Sequence, residues 1–156
     1  MRVQLLPSGR KVNARDRNSA PTQLPVERVW SILTDFPSYP SWNPFITHIE
    51  GKLEKGQRLR ATIKPVGGRP MTFKPTVLSV VPNQELRWLG RLFVPGLFDG
   101  AHSFVLAARD NGTRLVQSER FTGLLVPRLR RSLEQGTRPG FEAMNTALAR
   151  RAEQGA

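Results

Sequence analysis

What most constrains this chain is a change of hydrophobic period along it. From about residue 47 to residue 122 apolar and polar residues alternate, as half-buried strands require, whereas the flanking segments repeat with helical spacing. Leu59, Ala61 and Ile63 alternate with Arg58, Arg60, Thr62 and Lys64. Met71, Phe73 and Val77 alternate with Thr72, Lys74 and Thr76, and Pro75 makes that run an edge strand or a bulged one. Leu86, Trp88, Gly90 and Leu92 alternate with Glu85, Arg87, Leu89 and Arg91. Gly67-Gly68, Pro82-Asn83 and Pro95-Gly96 supply the turns between them.

The clearest hairpin joins residues 101–108 to residues 114–122 through Asn111-Gly112, a pair suited to a type I′ turn. That loop pairs Asp110 with Thr113, which puts Phe104 opposite Glu119 and His102 opposite Phe121. One face then carries His102, Phe104, Leu106, Leu115, Gln117, Glu119 and Phe121 and is the inner one; it holds two ionisable groups.

On the N-terminal side, Val26, Val29, Trp30 and Leu33 mark one face of a helix that starts near Pro25 and stops near Asp35, before Pro37 and Pro40. Residues 36–45 hold four aromatics and three prolines, a pattern for a short second helix and a turn. On the C-terminal side, Leu129, Leu133, Phe141, Met144, Leu148 and Ala152 form a helical stripe. Gly136, Pro139 and Gly140 interrupt it, so a broken or kinked long helix is expected, the alternative being a short helix ending at Gly136 and a second capped by Thr137. A run of strands closed by a helix is an α+β arrangement.

The 156 residues fit one domain, expected over 24–154, with residues 1–23 a polar tail or a weakly formed first strand. No cysteine is present, which excludes disulfides and thiolate chemistry and suits a cytoplasmic protein. No run approaches the roughly 18 apolar residues of a membrane span. The apolar run from Val3 to Leu6 is too short for the h-region of a secretory signal. The net charge of +12 is dispersed: six basic and two acidic residues in 1–28, twelve and seven in 29–125, six and three in 126–156. A solvated basic surface accounts for it; attraction to nucleic acid, a membrane surface or an acidic ligand is the alternative.

Val29-Trp30-Ser31-Ile32-Leu33-Thr34-Asp35-Phe36, followed by Tyr39-Pro40-Ser41-Trp42-Asn43-Pro44-Phe45-Ile46, resembles the opening of SRPBCC proteins, the START-like or polyketide cyclase/dehydrase group. Trp88-Leu89-Gly90, the stretch from Gly96 to His102, Glu119-Arg120-Phe121-Thr122-Gly123 and Phe141-Glu142-Ala143-Met144-Asn145 resemble its later strands and closing helix. The resemblance spans roughly residues 25–152. It implies a helix-grip fold: a curved antiparallel sheet of about six to seven strands wrapped around a long C-terminal helix, with two short helices near the N-terminus. It also implies a deep cavity for an apolar or amphipathic small molecule, without fixing a reaction, because the group spans carriers, cyclases, hydrolase-like members and co-chaperones. The chain departs from the pattern where residues 16–23 are polar instead of an alternating strand. The first strand is displaced towards Val3–Leu6 or towards residues 10–12, is poorly formed, or is missing through a misassigned start codon.

His102 and Glu119 lie on adjacent strands of the inner face, within reach of each other. Buried together they could form an acid/base pair for proton abstraction or cyclisation; the plainer reading is two polar groups that satisfy each other. Trp42, Phe45, Phe73, Trp88, Phe98, Phe104, Phe121, Phe141 and Met144 converge on the interior, as core or as the wall of a ligand pocket, and Asn145 could orient a ligand's polar end. Two histidines and no cysteine exclude a three-His or Cys–His zinc site, and His48 reads as an exposed strand residue, so neither a metal nor a cofactor is expected. Gly67-Gly68-Arg69 lacks the spacing of a phosphate loop, and no Gly-x-Ser-x-Gly elbow is present. The leading expectation is binding of a lipid- or polyketide-like molecule. A cyclase or dehydratase using His102 and Glu119 is the first alternative, and a nucleic-acid or anionic-surface binder the second.

Overall fold

A computed structural model describes residues 2–5, 24–92, 94–109 and 112–154. A first strand, β1 (Arg2–Leu5), precedes α1 (Val26–Thr34), a 3-10 turn (Phe36–Ser38) and the one-turn α2 (Tyr39–Trp42). Seven strands follow: β2 (Ile46–Glu50), β3 (Arg60–Ile63), β4 (Met71–Phe73), β5 (Thr76–Val81), β6 (Glu85–Leu92), β7 (Phe98–Arg109) and β8 (Gly112–Thr122). The chain closes with α3 (Val126–Glu153). It is the expected α+β helix-grip arrangement. No helix among the described residues is long and apolar enough to cross a membrane.

The strands form two ladders, β1-β8-β7-β6-β5 and β2-β3-β4. Pro75 stands between β4 and β5, where the chain leaves the edge of one ladder for the edge of the other. Its missing N–H is harmless there, and its carbonyl accepts from the Leu59 N–H at 2.8 Å. Arg58 bridges Thr76, and the Val77 N–H donates to the Gln57 carbonyl, so the strip before β3 stitches the two ladders together. Among the described residues all pairings are antiparallel except one: β1 lies parallel to β8, from Arg2 opposite Val116 to Leu5 opposite Glu119. Of the two positions open to the displaced first strand, the one near Val3 is occupied; residues 10–12 lie outside the described residues.

α1 begins directly after Pro25, whose carbonyl accepts from the Arg28 and Val29 N–H groups, and it buries Val29, Ile32 and Leu33. The aromatic segment folds back on this helix. Tyr39, fully buried, donates its hydroxyl to the Leu33 carbonyl at 2.6 Å and takes Phe36 and Trp42 edge-on at 5.5 and 4.9 Å. The buried Asn43 accepts from the Phe45 and Ile46 N–H groups at 3.0 and 2.9 Å through Oδ1, which turns the chain into β2 and points Phe45 inward.

Of the forms expected for the C-terminal segment, the break and the pair of separate helices are corrected: α3 is one long helix, unbroken from Val126 to Glu153 with Pro139 inside it. An interior proline costs about 3 kcal/mol. Burying each of Phe141, Met144 and Leu148, all fully inaccessible, returns roughly 1.5–3 kcal/mol, so tertiary packing carries the helix through. Leu129 and Leu133 of the expected stripe fall where side chains lie outside the described residues. Gly140 is the closest point of approach. A Cβ there would overlap the ring of Phe45 and lie only 2.9 Å from its Cγ, the root of a side chain that Phe141 already holds edge-on.

Two outcomes follow. Gly140→Ala gains about 1 kcal/mol of helix propensity but overpacks the Phe45 contact at a cost of about 1–3 kcal/mol; denaturant unfolding is expected to show a net loss of stability. Burial, with the negative charge of Asp35 adding to it, pushes the Tyr39 phenol far above its ordinary value of 10.0. The unfolded chain therefore loses this proton near pH 10 while the folded chain keeps it. Stability is complete below that pH and falls above it by about 1.4 kcal/mol per pH unit. Tyr39 is the sole tyrosine, so tyrosinate absorbance should appear only as the protein unfolds, and Tyr39→Phe should flatten the alkaline fall relative to the parent.

Candidate functional site

The inner face of the larger ladder is built in rungs. Leu86, Phe104 and Gln117 stand opposite one another across β6, β7 and β8; Trp88, His102 and Glu119 form the next rung; Gly90, Gly100 and Phe121 the one beyond. The hairpin register therefore differs from the expected one by two residues. Arg109 pairs with Gly112, His102 faces Glu119 directly instead of Phe121, and Phe104 faces Gln117 instead of Glu119. Asn111 lies outside the described residues. The observed register sets Leu106 against Leu115 and keeps a carboxylate from lying opposite Phe104, an apolar match that outweighs the turn preference of Asn-Gly. Because the slide is even, no side chain changes face.

His102 is held on every side. The Trp88 ring stacks on it at 5.1 Å with planes 10° apart, Phe104 lies 4.6 Å away, and Phe141 of α3 meets it edge-on at 4.8 Å. Its Nδ1 is 3.8 Å from Glu119 Oε2, and its Nε2 is 3.1 Å from Gln117 Nε2. The His102 side chain is 6% exposed and that of Glu119 17% exposed. Gly100 gives the carboxylate its room: a Cβ at that position would stand 2.9 Å from Glu119 Oε1. Gly90 does the same for Phe73, whose ring lies 3.3 Å from where its Cβ would be.

Exposure grades along this face. Leu106, Leu115, Phe104 and Gln117 are buried at one end, and Phe98 and Phe121, ring centres 5.4 Å apart, are half-buried at the other. The His102–Glu119 rung sits where the closed end gives way to the open one. Of the expected wall, Phe45, Trp88, Phe104, Phe141 and Met144 pack around that rung or against its neighbours, and Phe73, Phe98 and Phe121 lie at the open end. Asn145 is buried on the inner side of α3, with neither amide atom hydrogen-bonded. Trp42 stands apart. It donates its indole N–H to Ser38 Oγ and lines a groove of about 530 Å³ on another face of α3, with Pro44, Ala143, Ala147, Arg150 and Arg151.

Gln117 was not among the expected site residues, although it is fully buried and touches both His102 and Met144. The signal was present as a polar residue at an inward position beside two ionisable ones, but the slipped register set it opposite Leu106. Among the described residues no group of three His, Asp or Glu side chains could hold a metal ion. His48 is exposed on β2, 3.6 Å from Glu50.

A family model described as polyketide cyclase / dehydrase and lipid transport matches residues 17–153. Among curated proteins no sequence matches. The fold recurs in solved structures of low identity. The ZhuI aromatase/cyclase from a Streptomyces species is 20% identical, with a TM-score of 0.69 over 85% of this chain and 88% of that one. A Thermus thermophilus protein is 17% identical, with a TM-score of 0.67 over 86% and 93%. The two-domain aromatase/cyclase StfQ of the steffimycin biosynthetic pathway is 12% identical, with a TM-score of 0.66 over 85% of this chain and 48% of that one. With the match covering all but the first sixteen and last three residues, the chain belongs to the polyketide cyclase / dehydrase and lipid transport family.

Proposed function

We propose that the chain binds an apolar or amphipathic small molecule, polyketide- or lipid-like, between the sheet and α3. It would enter past Phe98 and Phe121 and place its polar end at Glu119. The observation that carries this reading is the Trp88–His102–Glu119 rung, an ionisable pair sunk into an aromatic wall where the inner face opens. Such a pair is costly in a structural core, since each buried polar group without a full set of partners costs about 1–3 kcal/mol. Gln117 Oε1 and both amide atoms of Asn145 add to that cost. A few polar groups in an apolar enclosure is the usual composition of a small-molecule site.

A second reading is favoured by one specific feature, the direct opposition of His102 and Glu119. In a cyclase or dehydratase, the Glu119 carboxylate would take a proton from the carbon between two carbonyls of a polyketone. The resulting enolate would form a carbon–carbon bond to a ketone of the same molecule. The alkoxide would then take back that proton to become a hydroxyl; in a later elimination a base removes a proton from the neighbouring carbon, the carbon–carbon double bond forms, and the hydroxyl leaves with a proton as water.

Mass spectrometry of the purified protein, native and then after organic extraction, tests the first reading. A stoichiometric apolar molecule that is released on denaturation is the expected result. A folded, empty protein that also fails to take up anilinonaphthalene sulfonate or a long-chain fatty acid would overturn it. For the second reading, Glu119→Gln is expected to lower turnover of a linear polyketone about 10²–10⁴-fold while ligand uptake changes by only a few-fold. Undiminished turnover removes Glu119 from the chemistry.

A further inference from the structure

Gln117 reaches two groups of different character with one nitrogen: its Nε2 lies 3.1 Å from His102 Nε2 and 3.6 Å from Met144 Sδ. A thioether has no proton to give, so the amide atom that can hydrogen-bond it is the nitrogen. Reversing the amide would set its carbonyl oxygen against the sulfur lone pairs and lose that contact. The orientation of the amide in turn dictates the state of the imidazole. An amide N–H only donates, so His102 Nε2 must accept, and the ring proton has to sit on Nδ1. Nδ1 is the nitrogen that faces Glu119 Oε2 at 3.8 Å.

We infer that Gln117 is a positioning residue: it holds His102 in the Nδ1–H tautomer and aims that proton at Glu119, leaving the carboxylate as the group that meets a ligand. The surroundings divide the labour. Trp88, Phe104 and Phe141 fix the plane of the imidazole, yet rings have no preference between its two nitrogens. Two contacts distinguish them: the Glu119 carboxylate facing Nδ1 at 3.8 Å, and the fully buried Gln117 amide at Nε2, the one of the two at hydrogen-bond distance. Gln117 also occupies Nε2, which leaves His102 only the Nδ1 side, the side that faces Glu119. The more exposed side chain of the pair, and the one with space made for it by Gly100, is Glu119. The assignment of the ligand to Glu119 rests on the proposed function; the tautomer does not.

The test is nitrogen-15 NMR of the ligand-free protein labelled at histidine, using long-range proton–nitrogen correlations to find which ring nitrogen is protonated. There are two histidines, and His48→Gln assigns the spectrum. The expected parent spectrum shows His102 protonated at Nδ1 and bare at Nε2. In Gln117→Leu, which keeps the bulk and removes the donor, His102 should populate the Nε2–H form. In Gln117→Glu, which replaces the donor by an acceptor, Nε2 should become protonated. A parent protein with the proton on Nε2 overturns the inference even if neither variant folds, as does a Gln117→Leu spectrum identical to the parent's. Ligand uptake by Glu119→Gln is read separately. Uptake and turnover insensitive to Glu119, beside the expected tautomer shift, would count against the proposed function and leave the role of Gln117 standing.

Discussion

The arrangement turns on the ring of Phe141. It meets His102 edge-on at 4.8 Å on one side and Phe45 edge-on at 5.4 Å on the other, and so joins α3 to the sheet and to the aromatic loop after α1 at a single point. Edge-to-face pairs add about 0.5–1.5 kcal/mol beyond the area they bury, but their geometry matters more here than their energy. Gly140, one residue earlier, lets Phe45 lie against the helix backbone, and Asn43 aims Phe45 there by capturing the next two N–H groups. The depth of α3 in the grip, the path of the loop and the plane of the imidazole are thus set by the same contact. A change in any one would be felt at the other two.

On β6, β7 and β8 the inward polar groups are confined to a narrow band. His102, Gln117 and Glu119 stand on adjacent rungs, with Asn145 on the buried side of the helix that covers them. Beyond the band towards the closed end the sheet is Leu106 and Leu115; towards the open end it is Phe98 and Phe121. A partly satisfied polar network inside a protein is high-stakes, because the low dielectric that strengthens each bond also raises the cost of each missing one. Concentrating that cost on two neighbouring rungs leaves the remaining sheet free to pack as an ordinary apolar layer.

Much of this was legible from period alone. Alternation named the inward residues of β6, β7 and β8 correctly because side-chain direction depends on parity, and parity survived a two-residue error in the hairpin register. Who faces whom did not survive. That depends on the loop, where a local preference for Asn-Gly yielded to cross-strand packing summed over the whole hairpin. Of the broken or kinked long helix expected, the long helix stands and the break does not, because the buried face of Phe141, Met144 and Leu148 offsets the local cost of Pro139. Gln117 was visible as an inward polar residue, but its role lies in which atom points at which, and no one-dimensional pattern carries that. Trp42, grouped by composition with the interior aromatics, lies in a groove on another face of α3 because α2 ends with it and the chain turns at Asn43.

The parallel pairing of β1 with β8 joins residues 2–5 to residues 116–119, about three-quarters of the chain's length apart. Contacts of such separation are slow to form, since the loop between them must be closed before they return any energy. During synthesis the first strand emerges long before its partner exists, and must wait while α1, the aromatic loop and six strands are made. The backbone edge of β8, the strand that carries Gln117 and Glu119, is therefore left open until late, a template for any passing strand. Residues 2–5 cover the outer edge of β8, which makes closing that edge a late event in folding.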